Sequence, residues 1–440
     1  MDNEDKLTGS RGGPGQKSRE ELIRSSWTSL KAQDSLTLKE KLEKLLAMAR
    51  EAKKTPKEPA AATRNDQEIR RAGLSGFRVF ENSFPPEFSF GKVRLASAEN
   101  IGGDVLALLS RDDSFRELSL NSALFLDLET TGLSGGVGVI PFLIGLGFYN
   151  RGTFEIRQFF LGEPAAEEAM LVELDRFFQS LAFSSIITFN GKGFDLPILE
   201  TRFTLYRLSF GLAELPHLDF VFPARQLWKH RHESCRLCHL AQEVLGANRL
   251  DDIPSSEVPV RYFSYLRSGD FSWVEPVLEH NQQDLLSLLG VLVASAEILA
   301  ADAGGEELDG FDLVGLARIM EAAGKIERSR QLLEKALHRG IPEPLAQGIK
   351  QKLAWYWKKN RQWEKAVPLW EELMPAGKLA SYRELAMFYE HRLKDYERAR
   401  QLAASGLELA AGISRTYEQD FLRRLERLTE KIGQKRMTSK

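Results

Sequence analysis

The sequence predicts an α/β domain built on one mixed five-stranded sheet with flanking helices, followed by an all-α domain. Three strand patterns joined by short connections begin at residue 124, and a helix, a strand and a helix follow them in that order. Elements in this order form a single sheet with helices packed against it. From residue 310 onward the pattern is one amphipathic helix after another, which indicates a separate helical domain.

The predicted strands are apolar runs bounded by turn residues. The first three have short connections, so we expect an antiparallel meander, and two further strands complete the sheet. In chain order, they read LFLDLETT, FLIGLGFYN, TFEIRQFFLGE, SSIITFN and HLDFV. Helices are predicted at 164–181, after NGKGFD, and at 274–299, whereas 246–273 is predicted to be a loop-rich insertion.

The domain boundaries follow from changes in composition. Residues 1–65 are polar and charge-rich, and are predicted to be a disordered tail with a helical stretch between Leu36 and Met48. We place the α/β domain at 66–300, with 66–120 as its lead-in, and the helical domain at 310–432. Residues 433–440 form a basic tail.

The composition excludes some classes of protein. A net charge of −2, with 43% hydrophobic and 28% charged residues, is ordinary for a globular protein, so a nucleic-acid partner would need local basic patches. Two cysteines, Cys235 and Cys238, are too few for a disulfide framework, which favours a reducing compartment. The sequence starts without an apolar signal segment, and no later run approaches the ~20 apolar residues of a membrane span. We therefore expect a cytoplasmic protein without a membrane partner.

Two acids on the first strand are the first candidates for chemistry. Asp127 and Glu129 stand two residues apart, so their side chains share one face of the strand. Neighbouring carboxylates repel each other and are costly to remove from water, and a divalent cation would remove that cost. The alternative is an edge strand with solvated acids.

Other acids follow at positions where an α/β sheet binds ligands. Asp195 stands between a strand and a helix, either as a helix cap or at a ligand site near the strand ends. His280 and Asp284 are four residues apart and therefore lie on one face of the last helix of the domain. Asp219, in HLD, either supports a metal site or, as we favour, caps a turn.

Candidate substrate-binding residues accompany these acids. The loop GLSGGVGVIP is either a long hairpin loop or a segment that lets a nucleotide backbone approach the acids. A basic segment after the fifth strand is a candidate phosphate-binding patch, although such runs are often only solvated faces. The substrate-binding residues we assign are Thr130, Asn190, Lys192, Arg225 and Lys229.

Taken together, these motifs resemble the DEDD exonuclease superfamily on the ribonuclease-H-like fold, and within it the bacterial YprB-type proteins. The resemblance covers 77–300 and is densest in LFLDLETTGLSGG, FNGKGFDLPIL, HLDFVFPARQLW and HNQQDLLSL. It implies a 3′ to 5′ exonuclease with two Mg²⁺ or Mn²⁺ ions and His280 as general base. The implied metal ligands are Asp127, Glu129, Asp195 and Asp284.

The sequence departs from this family at the histidine. Enzymes of the histidine form usually have four residues between histidine and aspartate, and those of the tyrosine form have three. Here HNQQD has three residues between His280 and Asp284. His280 therefore either accepts the proton of the attacking water or, in the tyrosine's place, orients that water.

The helical domain contains a degenerate internal repeat. The pairs Leu316-Ala317, Leu353-Ala354 and Leu385-Ala386 recur at intervals of 37 and 32 residues, and each is followed by a second matching segment. This pattern resembles tetratricopeptide repeats, which implies a protein partner such as a helicase. The alternative is a helical domain that braces the α/β domain. Basic residues near the C-terminus could also contact DNA.

The leading hypothesis is a metal-dependent 3′ to 5′ exonuclease in DNA repair, with DNA as the favoured substrate. A rival hypothesis is a non-catalytic nucleic-acid-binding scaffold in which the repeats carry the role. A third is a structure-specific endonuclease on the same fold. Clustered carboxylates favour the enzyme, because a phosphate-binding scaffold gains nothing from them without metal ions.

Overall fold

A computed structural model describes residues 76–132, 138–249, 252–304 and 307–438. The predicted polar tail, with its helical stretch at 36–48, lies outside the described residues. So does the centre of the glycine-rich loop, 133–137.

The α/β part is built on a mixed six-stranded sheet. The strand order is β1-β6-β5-β4-β7-β8, and β2 and β3 form a separate small hairpin. The strands are β1 (Phe77–Phe84), β2 (Ser89–Phe90), β3 (Val93–Arg94), β4 (Ala123–Thr130), β5 (Pro141–Asn150), β6 (Thr153–Leu161), β7 (Ser185–Thr188) and β8 (His217–Asp219). The fold class and the β4-β5-β6 meander are confirmed, with β7 and β8 added in parallel.

The strand number differs from the prediction of five. β1 pairs antiparallel with β6 along its whole length, so part of the predicted lead-in forms an edge of the sheet. Its sequence, FRVFENSF, alternates in burial, as expected for a strand covered on one face only. The sequence analysis did not assign this strand because two further β-bridges, a helix and several turns separate it from the meander.

Of the α-helices that the structure describes, the first seven belong to the α/β part, and the remaining seven form the helical region. The bounds are α1 (Gly103–Ser110), α2 (Glu167–Ser180), α3 (Asp195–Leu205), α4 (Val221–Trp228), α5 (Leu237–Glu243), α6 (Val258–Ser268), α7 (Glu275–Gly304), α8 (Gly310–Ala322), α9 (Ile326–Leu337), α10 (Glu343–Lys359), α11 (Trp363–Leu373), α12 (Leu379–Phe388), α13 (Tyr396–Ala410) and α14 (Arg415–Thr438). The loop-rich insertion expected at 246–273 is wrong in its second half. There α6 buries Val258 and Tyr262, four residues apart, against the sheet core.

The two faces of β4 belong to different cores. Leu124, Leu126 and Leu128 pack into the core that also holds the apolar faces of α2 and α3. Phe125 packs into the other core, together with residues of α7. Because side chains alternate along a strand, Asp127 and Glu129 lie on the α7 side.

The long helix α7 is largely an interior element. A stretch within Phe271–Ala303 is long and apolar enough to cross a membrane by length and composition, and 72% of that apolar window is buried inside the protein. We had expected no stretch of this length. Its apolar character has a local cause, because α7 packs against β4, β5 and α5 and contributes Leu285, Leu288 and Leu289 to the core.

The C-terminal part is all-helical and continuous with the α/β core. Helices pack in successive pairs, α8 with α9, α10 with α11, and α12 with α13, and α14 packs on α13. The repeated Leu-Ala pairs of α8, α10 and α12 are all buried. At the junction with α4, a Cβ atom on Gly315 would lie only 2.6 Å from the carbonyl oxygen of Leu227, so this glycine permits close packing.

Candidate functional site

The site begins with a row of three residues across the meander. Asp127 of β4 lies opposite Gly145 of β5, and Gly145 lies opposite Gln158 of β6. Phe125, two residues earlier on the same face, is fully buried. Glu129, two residues later, is only 9% exposed. The two carboxylates therefore sit on a central strand, and the edge-strand alternative is wrong.

Helix α7 lies over this row and attaches to it through Asn281. The side-chain amide of Asn281 donates to Asp127 Oδ2 at 2.8 Å and to the Asp127 carbonyl oxygen at 3.2 Å. Its own oxygen accepts a hydrogen bond from Gln158 Nε2 at 2.8 Å. A Cβ atom on Gly145 would lie 2.1 Å from that oxygen, so only glycine leaves room for the amide.

One turn of α7 carries His280 and Asp284 over the same carboxylates. His280 Nε2 lies 3.6 Å from Glu129 Oε1 and 3.6 Å from Asp284 Oδ2. The other ring nitrogen, Nδ1, is hydrogen-bonded to Asp252. Because a carboxylate accepts, this bond places the proton of the neutral ring on Nδ1 and leaves Nε2 as an acceptor that faces the acids. Arg249 Nη2 lies farther from Nδ1, at 3.4 Å.

A buried arginine lies beside the histidine. Arg249 pairs with Asp284 Oδ1 and with Asp252 Oδ2, each at 2.5 Å, and its side chain is 1% exposed. It therefore connects the loop before α6 to α7 and leaves Asp284 Oδ2 available on the side of His280. Burial lowers the pKa of His280, but the hydrogen bond to Asp252 and the charge of Asp284 outweigh burial and raise it.

Asp195 completes the carboxylate cluster from the other side of β4. It is the first residue of α3 and is 5% exposed, while Phe194 occupies the capping position without a side-chain hydrogen bond. Burial, and then the charge of Asp219, raise the pKa of Asp195 to about 7. Burial, followed by the charges of neighbouring acids, also raises the pKa values of Asp127 and Glu129 well above their usual range.

The turn before α3 is organised by Asp219. Its Oδ1 accepts from the backbone N–H groups of Asn190 at 2.7 Å and Val221 at 3.2 Å, and Oδ2 accepts from that of Lys192 at 3.1 Å. Asn190 has φ +71°, a left-handed conformation that asparagine tolerates. Asp219 therefore stabilises the turn, as the favoured prediction stated, and holds the backbone of the exposed Lys192.

The donor set fits divalent cations of the hard class. Asp127, Glu129, Asp195 and Asp284 offer only carboxylate oxygens, which suit Mg²⁺ and Mn²⁺. Burial, followed by the charges of neighbouring acids, raises the pKa values of Asp127 and Glu129, and a bound cation would relieve both effects. Among the described residues, no group of three or more His, Cys, Asp or Glu side chains already has the arrangement of a metal site.

Two comparisons with known proteins agree with this architecture. Residues 124–295 match the RNase_H_2 model of the RNase_H superfamily. The chain is 31% identical over 331 residues to the uncharacterized protein YprB of Bacillus subtilis (strain 168), covering 74% of this chain and 78% of that protein. The chain belongs to the same family as YprB, within the RNase H superfamily. It therefore has a nuclease-type fold.

A solved structure with some similarity is the family B DNA polymerase of the hyperthermophilic archaeon Pyrobaculum calidifontis. The match has 14% identity and a TM-score of 0.33, and covers 49% of this chain and 28% of the polymerase chain.

Not every predicted site residue lies in this carboxylate cluster. Asp127, Glu129, Asp195, His280 and Asp284 converge, and Asn190 and Lys192 belong to the adjoining turn. The Thr130 hydroxyl donates to the carbonyl oxygen of Gly132 at 2.7 Å and so fixes the exit of β4. Arg225 and Lys229 are exposed one turn apart on α4, and in the described part of the chain neither has a hydrogen bond or ion pair with the carboxylates.

Three residues of the site were missed by the sequence analysis. Asn281 adjoins His280 in HNQQD, but a neutral amide gave no chemical signal of its own. Arg249 and Asp252 lie in a segment that was predicted to be a loop, and their contacts with α7 depend on the tertiary fold. The paired acids of DDIPSSEVP, the only available signal, do not specify which helix they approach.

Proposed function

We propose that this protein is a metal-dependent 3′ to 5′ exonuclease of the DEDD type that hydrolyses phosphodiester bonds of DNA. The observation that carries the proposal is the convergence of Asp127 and Glu129 of β4 with His280 and Asp284 of α7, next to the buried Asp195. A cluster of buried carboxylates beside an oriented histidine suits hydrolysis of an anionic ester only when cations balance the charge.

The four acids would act as metal ligands. Asp127, Glu129, Asp195 and Asp284 would hold two Mg²⁺ or Mn²⁺ ions, which when bound supply water activation and stabilisation of the attacking and leaving oxygens. Asn281 fixes the orientation of Asp127, since it donates to Oδ2 and leaves Oδ1 free. Arg249 does the same for Asp284, since it holds Oδ1 and leaves Oδ2 free.

His280 would act as a general base. In the neutral ring, the hydrogen bond of Nδ1 to Asp252 directs an unprotonated Nε2 at the carboxylates, where the attacking water would lie. The raised pKa of His280 shifts this neutral form to higher pH. A base in this orientation can accept the water proton at Nε2. The geometry therefore favours proton acceptance over water orientation, despite the three-residue spacing typical of the tyrosine form.

The DNA strand would bind along the turn that precedes α3. Lys192 is exposed on that turn, Asn190 forms part of its backbone, and Thr130 shapes the turn at the end of β4. Arg225 and Lys229 extend the positive charge onto α4, where they would contact phosphates farther from the scissile bond.

We further propose that the helical region is tetratricopeptide-like and recruits a protein partner, for example a helicase, in a cytoplasmic DNA repair process. The support is the burial of each repeated Leu-Ala pair on the first helix of successive helix pairs. Stacked helix pairs of this kind leave an extended surface for a partner.

End-labelled DNA and RNA, single-stranded and double-stranded, test the enzymatic proposal with Mg²⁺, with Mn²⁺ and with EDTA. We expect stepwise shortening of 5′-labelled DNA from its 3′ end and immediate release of a 3′ label. Asp127→Asn and Asp284→Asn should each reduce the rate by at least about a hundredfold. Glu297→Gln is the matched control, because it removes an exposed carboxylate from the same helix as Asp284.

Other outcomes would contradict the proposal. Internal cuts in both labelled strands would indicate a structure-specific endonuclease. DNA binding without cleavage in any metal, equal in the wild type and the Asp127→Asn variant, would indicate a scaffold.

A further inference from the structure

The helical region contains a cleft of about 580 Å³ that has no role in the proposed catalytic site. It lies where α10 ends and α11 begins, next to the turn that follows α12. Its lining consists only of aromatic and cationic residues, and we call it the tryptophan cleft. The lining residues are Trp355, Lys358, Lys359, Arg361, Trp363 and Arg392.

One of the two aromatic rings of the tryptophan cleft is exposed. Trp355 is 38% exposed, although large aromatic side chains are mostly buried in soluble domains. Lys358 Nζ lies 4.6 Å from the centre of its ring. Trp363 is supported from behind by Phe388, with ring centres 5.6 Å apart, and its ring lies 5.1 Å from the Arg392 guanidinium.

The positive charge of this cleft is only partly balanced by the residues that the structure describes. Lys358 forms an ion pair with Glu384, but Lys359, Arg361 and Arg392 have no carboxylate partner among the described residues. Exposed cations grouped around an exposed ring attract an anionic ligand that has flat faces.

Several basic residues of α14, unlike most of those in the tryptophan cleft, form ion pairs with carboxylates. Arg424, Arg427 and Lys431 all pair with the fully buried Glu390, and Arg436 pairs with Glu397. Each of these four cations therefore has a carboxylate partner in the fold, although Glu390 is shared by three of them.

We propose that the tryptophan cleft binds a segment of single-stranded nucleic acid. A base stacks on the exposed face of Trp355, and the adjacent phosphates contact Lys359, Arg361 and Arg392. An acidic peptide would satisfy the three cations but would leave the ring without a flat partner, so the combination favours nucleic acid. This site is separate from the carboxylate cluster and does not depend on cleavage.

The test is the binding of fluorescein-labelled oligo(dT) of twenty nucleotides, followed by fluorescence anisotropy. The full chain carries Asp127→Asn and the buffer contains EDTA, so that cleavage cannot affect the signal. We expect Arg361→Glu combined with Arg392→Glu to raise the Kd at least about tenfold. The slope of log Kd against log salt concentration should fall by about two. Trp355→Ala should raise the Kd about tenfold through lost stacking.

A double charge reversal outside the cleft is the control. Lys325→Glu with Lys335→Glu changes the net charge equally at exposed positions just before and within α9, and should leave the Kd within about twofold of the parent. Equal weakening by both double variants would overturn the proposal. So would unchanged DNA affinity in the cleft variants, with loss only of the binding of an oligoglutamate peptide. Circular dichroism melting of each variant checks that the fold is retained.

Discussion

At the scale of single residues, the site depends on side chains that hold other side chains. Asp252 fixes the ring of His280, and Arg249 holds one oxygen each of Asp252 and Asp284. Asn281 holds one oxygen of Asp127. Acids with one oxygen fixed in this way keep the other for a cation, and orientation by such neighbours is known to tune metal sites.

Asp252→Asn tests the role assigned to the histidine. An amide at this position can donate to Nδ1, so that the proton moves to Nε2 and the ring no longer accepts the water proton. We expect kcat to fall about a hundredfold with KM nearly unchanged, measured on a 5′-labelled single strand. Glu279→Gln, an exposed change on α7 beside His280, should leave both constants unchanged. An Asp252→Asn enzyme with normal kcat would show that His280 does not depend on this tautomer.

The ionisable candidate catalytic residues could be predicted from the sequence. The residues that hold those side chains in place could not. Asp127, Glu129, Asp195, His280 and Asp284 could be found because ionisable groups at regular spacings on strands and helices give a chemical signal. The positions of Asn281, Arg249 and Asp252 could not be found in this way. Their contacts join segments 28 to 154 residues apart, which local periodicity does not report.

At the scale of elements, the close approach of α7 to the β4-β5-β6 meander determines the geometry of the site. The helix approaches closely because β5 has Gly145 at the crossing point, between Asp127 and Gln158. The amide of Asn281 occupies the space that a side chain on Gly145 would take. The glycine thus determines how far the His280 and Asp284 side chains stand from the β4 carboxylates.

Gly145→Ala should displace α7 and impair the site. The added Cβ atom would lie 2.1 Å from Asn281 Oδ1, so the amide must move and the Asp127 hydrogen bond must lengthen. We expect a loss of about 1 to 3 kcal/mol in the free energy of unfolding, by urea denaturation, and at least a tenfold loss of nuclease activity. Gly211→Ala, where an added Cβ atom meets nothing within 4 Å, is the control. Full activity in Gly145→Ala would show that the helix position is not critical.

At this scale, the sequence predicted the elements with regular apolar patterns correctly but missed two others in the α/β part. The meander, α2, α3 and α7 have long, regular apolar patterns, and all are present. β1 and α6 were missed because they belong to segments with many turn residues, and their stability comes from pairing with β6 and packing under the sheet. Local patterns do not show this tertiary support.

At the scale of the whole molecule, the α/β part and the helical region share one hydrophobic core. Residues from the sheet, α7 and every helix pair contribute to it. The junction is fixed by Gly315 against α4 and by Arg318, which donates to the carbonyl oxygen of Arg225 at 3.1 Å. The helical region therefore packs directly against the nuclease-type fold.

The distal end of the helical region is stabilised by a buried ionic cluster. Burial alone would raise the pKa of Glu390, but hydrogen bonds from Arg427 and Lys431 outweigh it and lower the pKa to about 2. Because the folded-state pKa lies below that of the unfolded chain, the contribution is complete above about pH 4.5 and is lost as the pH falls toward 2.

Glu390→Gln should therefore destabilise the protein at neutral pH. We expect a loss of about 3 kcal/mol in the free energy of unfolding at pH 7, since the cations of α14 lose their counter-ion. The loss should shrink as the pH falls below 4.5, because the wild type then loses the same interaction. Melting curves of wild type, Glu390→Gln and the exposed control Glu430→Gln between pH 3 and pH 7 measure this. An equal loss at pH 3 and pH 7 would rule out the ionic explanation.

The most direct test of the central claim is a metal-rescue measurement at the scissile phosphate. A single-stranded DNA with a phosphorothioate at its 3′-terminal linkage is compared with normal DNA, in Mg²⁺ and in Mn²⁺, under single-turnover conditions. If the carboxylate cluster holds cations that contact the phosphate, sulfur should slow cleavage in Mg²⁺ and Mn²⁺ should restore it, because Mn²⁺ accepts sulfur more readily. The Asp127→Asn variant should show no restoration. Cleavage that proceeds equally in EDTA, or equally in Asp127→Asn, would contradict the account.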